Sequence, residues 1–215
     1  ALIHFRQARR HRERILSEFG ESTDRLRDLA ESLDHVGDVE LAQGDWTSAA
    51  ISQRRCLDVY RQLVASPRGD AAECLDGLGQ ALRNVGDLEL LEDNPTAALD
   101  RYRESLAVFS GVVERYGESP SRLRNQAHSL IRVGDLERQE GDRASALAQY
   151  RQALEIFERS LMTAGESVET LRDLRLALLK VADIERLDGD RRSAMARYRR
   201  GLELSQLIVD AWGAT

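Results

Sequence analysis

Val133-Gly134-Asp135-Leu136-Glu137 recurs along the chain as Val36-Gly37-Asp38-Val39-Glu40, as Val85-Gly86-Asp87-Leu88-Glu89 and, with alanine for glycine, as Val181-Ala182-Asp183-Ile184-Glu185. Successive aspartates are 49, 48 and 48 residues apart. A fixed period of this size marks a repeat architecture, whose units cannot bury their apolar faces alone and stack on their neighbours. Upstream of the first copy Leu26, Leu29, Leu33 and Val36 follow at steps of three and four, the pattern of a helix with one buried stripe. Downstream, Gly44-Asp45, Gly141-Asp142 and Gly189-Asp190 supply a residue that closes one helix and a residue that caps the next. The second helix then carries Ala49, Ala98, Ala146 or Ala194, twelve residues beyond Gly37, Gly86, Gly134 and Ala182. A glycine inside a helix costs about 1 kcal/mol relative to alanine. Three of them in register therefore predict close helix packing at these small residues, with Tyr102, Tyr150 and Tyr198 in the core opposite them.

The pattern predicts nine helices. Residues 1–22 form half a repeat, the second helix only, because residues 5–22 align without a gap to 102–119 and to 150–167. Full repeats follow at 23–70, 71–119, 120–167 and 168–215. An orphan half-unit behind Ala1 is what a cut through a longer array would leave.

Composition agrees with an all-α chain. Of 215 residues only three are proline, 42% are hydrophobic and 32% charged, and the helix formers Ala, Leu, Arg and Glu dominate. The formal charge of −6 argues against nucleic acid as a partner. The cluster Arg6, Arg9, Arg10, His11, Arg12 and Arg14 is the exception: the solvated face of an end helix or the cover over a missing neighbour, or else an anion or nucleic-acid patch. Cys56 and Cys74, the only cysteines, are expected as reduced, buried thiols of a cytoplasmic protein. His4, His11, His35 and His128 show no ligand spacing, so no metal and no cofactor are expected. No apolar run of about 20 residues suits a membrane span, and no nucleophile stands beside a base in sequence.

The series Gly134, Ala146, Tyr150, Ala153 resembles the tetratricopeptide repeat, a helix pair with glycine in the first helix and alanine, aromatic and alanine in the second. Gly86, Ala98, Tyr102 and Ser105 follow it closely; Gly37, Ala49, Gln53, Cys56 and Ala182, Ala194, Tyr198, Gly201 follow more loosely. Two features depart from that family. Its period is about 34 residues, so the helices here are longer, and its aromatic three residues after the glycine is replaced by Glu40, Glu89, Glu137 and Glu185.

The resemblance implies a right-handed α-solenoid of antiparallel pairs, a TPR-like superhelix that binds or scaffolds a protein or peptide and has no enzymatic activity. It also implies that first helices line a concave groove. Transferred position by position, the groove set is Asp34 and Asp38 with Ala30; Arg83 and Asp87 with Gly79; Ile131 and Asp135 with Ala127; and Leu179 and Asp183 with Arg175. Two roles for this acidic ladder stand side by side. It binds a basic or extended peptide, with Arg83 and Arg138 setting polarity, or the Asp and Glu columns pair with neighbouring-unit arginines (Arg132, Arg138, Arg172, Arg186) and fix the stacking angle. The resemblance further suggests part of a longer multidomain, bacterial-type protein. Its rivals are self-association into a homo-oligomer and an array that regulates a protease or hydrolase domain. Trp46 and Trp212, outside the periodic pattern, are candidate edge covers or partner contacts.

Overall fold

In the computed structural model residues 2–20, 22–66 and 71–213 are described. They form nine helices and no strand: α1 (Leu2–Phe19), α2 (Thr23–Ala42), α3 (Trp46–Ala65), α4 (Ala72–Leu91), α5 (Pro95–Tyr116), α6 (Pro120–Gln139), α7 (Arg143–Ala164), α8 (Val168–Leu187) and α9 (Arg191–Trp212). The side chains of Arg6, Arg9 and Trp212 lie outside the described residues. Among the described residues no helix is long and apolar enough to cross a membrane. The chain divides into two compact units, residues 1–116 with α1 to α5 and residues 117–215 with α6 to α9. In each unit helices pack on their sequence neighbours, as short connections dictate.

Two kinds of cap set the helix starts. Three of the four first helices open on serine: the hydroxyls of Ser22, Ser119 and Ser167 accept from the backbone N–H of Arg25, Arg122 and Thr170 at 3.3, 3.3 and 3.1 Å, whereas α4 opens on Ala71 with no side-chain cap. Second helices open on a carboxylate or amide, with Asp45, Asp142 and Asp190 accepting from Ser48, Ser145 and Ser193 and Asn94 accepting from Ala97. Both satisfy amide groups that a helix start leaves unpaired. The residue before each carboxylate cap takes positive φ, at Gly44 (76°), Gly141 (91°) and Gly189 (89°). In the second pair Asp93 holds that place at φ 59°, although it has a Cβ.

In unit 1 the core runs through three helices. Leu26, Leu29 and Leu33 of α2, Cys56, Leu57, Tyr60 and Leu63 of α3, and Leu78, Leu82 and Val85 of α4 form one cluster. In unit 2 Leu123, Leu130 and Val133 of α6, Tyr150, Leu154 and Phe157 of α7, and Leu171, Leu174 and Val181 of α8 are buried. Ala49, Ala98, Ala146 and Ala194 are buried with them.

The small first-helix residues sit against the second helix of their own pair. A Cβ on Gly86 would lie 2.5 Å from Tyr102 Cε1, one on Gly134 2.8 Å from Tyr150 Cε1, and one on Gly37 2.6 Å from Gln53 Nε2. No side chain fits at such distances unless the ring or amide moves. In the fourth pair Ala182 has that Cβ, and Tyr198 is only half-buried where Tyr102 and Tyr150 are fully enclosed.

Candidate functional site

Asp34 and Asp38 stand one turn apart on α2. Gln53, enclosed on α3, donates from Nε2 to Asp38 Oδ1 and to the Asp34 carbonyl, both at 3.2 Å. Asn84 of α4 donates to Asp34 Oδ1 at 2.8 Å and receives a bond from Gln80 at 2.9 Å. Arg83 bonds the Gln80 amide oxygen. An amide ladder thus ties α2, α3 and α4 together and holds both carboxylates through the neutral side chains of Gln53 and Asn84, with the Arg83 guanidinium at its far end on Gln80. Partial desolvation of a side chain that still reaches water, with the charge of Asp34 added and partly offset by His35, pushes the Asp38 carboxyl above the usual carboxylate range.

The other three aspartates of the column share one arrangement. The hydroxyls of Tyr102, Tyr150 and Tyr198 donate to Oδ1 of Asp87, Asp135 and Asp183 at 2.5, 2.6 and 2.5 Å. Each bond spans fifteen residues and joins the first helix of a pair to its second. At Gly86 and Gly134 the ring packs directly against the glycine, and the hydroxyl of the same ring bonds the carboxylate of the next residue. In unit 2 the charges of Arg138 and Arg186, three residues beyond their aspartates, act to lower the Tyr150 and Tyr198 phenols and are outweighed. Asp135 has a cation as well: Lys180 Nζ of α8 is 2.5 Å from Oδ1 and 5.9 Å from the Tyr150 ring centre. Burial and the Asp135 bond push the Tyr150 phenol up, and the Asp183 bond followed by burial does the same at Tyr198.

Of the groove set, Asp38, Arg138 and Asp183 are exposed and Asp34, Arg83, Asp87, Asp135 and Leu179 half-buried. Ile131 is buried at 4% exposure, as are Ala30 and Ala127 at 0%, so these three pack between helices and face no open groove. The glutamate column is structural in geometry. Glu40 accepts from Ser52 at 2.8 Å. Glu89 meets Arg54, and the buried Glu185 meets Arg197 at 3.0 Å and Arg151 at 3.6 Å. These arginines come from second helices, a class of partner that the sequence candidates Arg132, Arg138, Arg172 and Arg186, all on first helices, leave out. Gln53, Asn84 and Lys180 were missed. A fifteen-residue spacing from each aspartate to Gln53 or a tyrosine was the available signal.

At one end of unit 2 a cavity of about 430 Å³ opens between the starts of α6 and α8 and the end of α7, lined by Arg124, Asn125, Phe157 and Asp173 among others. Buried Asp173 pairs with Arg124 Nε at 2.5 Å and His128 Nε2 at 3.1 Å. Burial works to raise its pKa, but His128 and Arg124 more than offset that and hold it below the usual range. Among the described residues no group of three or more His, Cys, Asp or Glu side chains is arranged to hold a metal ion.

Residues 29–66 match the family model described as tetratricopeptide repeat. Among solved structures, the apo form of RapI superimposes with a TM-score of 0.67 at 18% identity, over 93% of this chain and 48% of that one. The chain thus spans 48% of the length of RapI. BtubC from P. vanneervenii gives 0.60 at 16% identity, covering 100% and 92% of the two chains. A putative kinesin light chain with nearly identical TPR-like repeats from Podosopora anserina gives 0.57 at 11%, covering 100% and 99%. No curated protein matches in sequence. At these identities the likeness is one of fold: an all-α solenoid class built from antiparallel helix pairs.

Proposed function

We propose that this array of tetratricopeptide-type repeats is a protein-binding scaffold. It takes a basic peptide segment on the first-helix face of unit 1, at Asp34, Asp38 and Asp87, and offers a second acidic face at Asp135 and Asp183 in unit 2. Repeat arrays of this kind present extended surfaces to partners. The observation that carries the reading is the amide ladder of unit 1. Gln53 and Asn84 orient Asp34 and Asp38 without neutralising them, and like charges held close favour an incoming cation. In unit 2 Lys180 already offsets Asp135, so unit 1 is the stronger site.

The test is titration of the chain with a short Lys/Arg-rich peptide at two salt concentrations. Joint replacement Asp34→Asn and Asp38→Asn weakens binding at least about tenfold and flattens its salt dependence, with the melting temperature not lowered. Unchanged affinity in that variant refutes the site. pH adds a signed check. Because the Asp38 pKa is raised on folding, ionising it costs stability as pH climbs from the unfolded value through the folded one, and a bound cation relieves that cost. Affinity for the basic peptide therefore falls as pH drops through the raised Asp38 titration, and Asp38→Asn removes that step.

A further inference from the structure

Between the starts of α6 and α8 and the end of α7, unit 2 gives to polar side chains a place that unit 1 fills with apolar ones. The corresponding positions lie two periods earlier, on α2, α4 and α3. There the Tyr60 ring packs so tightly on Gly77 that an added Cβ would clash with ring carbons Cε1 and Cζ, and Leu63 and Cys74 are shut from water. In unit 2 the same four positions hold Phe157, Asp173, Ser160 and Thr170. The phenol oxygen is gone and leucine is reduced to serine. The space so released is the cavity of about 430 Å³, lined by these four residues with Arg124 and Asn125 among others. That volume lies in the range of sites that hold small molecules.

The polar groups of the lining divide into those already used and those still available. Asp173 takes Arg124 Nε at 2.5 Å and His128 Nε2 at 3.1 Å, so the Arg124 and Asp173 charges answer one another. Glu169 at the rim is exposed in the first turn of α8, where a helix start already favours negative charge. Thr170 is committed to the capping box with Ser167. What is left is neutral. Ser160 is only 5% exposed, yet its hydroxyl bonds no other described residue. The half-buried Asn125 amide is likewise unbonded among the described residues. Buried polar groups without partners cost stability, and native chains seldom keep them without a use.

We propose that this cavity binds a small neutral polyol, a single ring carrying vicinal hydroxyls as in a monosaccharide or a cyclitol. Hydroxyls both donate and accept, as the Asn125 amide and the Ser160 hydroxyl require, and Phe157 supplies an apolar wall for the C–H face of the ring. Charged ligands fit worse. An anion meets Asp173 and Glu169, and a cation meets Arg124, whose charge is answered only while Asp173 stays paired to it. The cavity belongs to unit 2 and uses none of Asp34, Asp38 and Asp87, so it does not depend on the basic-peptide reading.

The test is amide nitrogen–proton correlation NMR of the full chain, titrated separately with D-glucose, D-galactose and myo-inositol. Saturable shifts with a millimolar Kd, confined to the starts of α6 and α8 and the end of α7, are expected for at least one of them, and the preferred probe tells a sugar from a cyclitol. Ser160→Leu, which writes the side chain of Leu63 into the cavity, abolishes the shifts. Asn125→Ala weakens binding about tenfold, and its spectrum elsewhere matches the parent. The Asp34→Asn, Asp38→Asn variant responds to the polyol as the parent does, so this site and the basic-peptide site fail separately. No saturable shift from any of the three probes overturns the proposal. So do shifts that Ser160→Leu and Asn125→Ala both leave unchanged, which would mark adsorption elsewhere on the surface. Tighter binding of glycine, acetate or ethylammonium than of the polyols overturns it too, since the cavity would then read charge.

Discussion

At Gly86 and Gly134 an added methyl would stand within 2.8 Å of a tyrosine ring carbon, and the fourth pair shows the response when that methyl is present. Ala182 has it, and Tyr198 lies further out than Tyr102 or Tyr150. Gly134→Ala therefore drives Tyr150 outward at a cost of about 1–3 kcal/mol, read by urea unfolding and by increased quenching of tyrosine fluorescence. Asp93, in the left-handed conformation where other pairs use glycine, carries strain that Asp93→Gly removes. A gain of about 1 kcal/mol is expected in thermal unfolding. Asp173 sets an acid limit: its depressed pKa contributes stability that is present above the unfolded carboxylate value and is lost as pH falls through the folded one. Asp173→Asn flattens that limb of a urea-unfolding profile taken against pH. At this scale the sequence was legible where sterics alone decide, as at the glycines. It was not legible where two helices had to be brought into register, as for Tyr102 and Asp87, because neither residue reveals alone which turn of the partner helix it will meet.

Helices, by contrast, were largely readable. Serine caps, Gly-Asp turns and apolar steps of three and four are local signals, and the first two mark the starts of α2, α3, α6, α7, α8 and α9; α4 opens on Ala71 without a side-chain cap and α5 after Asp93-Asn94. What local signals cannot rank is ion pairs between helices, since their worth depends on burial. Arg54 is 44% exposed in its pair with Glu89 and Glu92, so Arg54→Ala costs under about 1 kcal/mol. Glu185 is 5% exposed between Arg197 and Arg151. Its replacement by alanine removes charge-assisted bonds to Arg197 and Arg151, whose guanidinium groups keep access to water, and costs about 1.5 kcal/mol, measurable in the same denaturation experiment. The groove assignment partly failed for Ile131 because a solenoid face is defined by the crossing of neighbouring helices, and a single helix's periodicity does not contain that angle.

Over each unit stability is a chain of neighbour terms in place of one central core. In unit 1 the cluster joining α2, α3 and α4 places those helices deepest, whereas α1 packs mainly on α2, with an ion pair from Glu13 to Arg55 of α3 at 3.6 Å. Native-state amide exchange should accordingly be fastest in α1 among the helices of unit 1, with α3 among the slowest; uniform protection would contradict neighbour-limited packing. One accident of composition makes part of this behaviour directly measurable. Cys56 and Cys74 are the protein's only two sulfhydryls, both unbridged and shut from water, and burial pushes both thiols up. Both fall in residues 1–116. A thiol-reactive dye added in native buffer would thus act as a built-in clock for the breathing of that half and stay blind to everything after it.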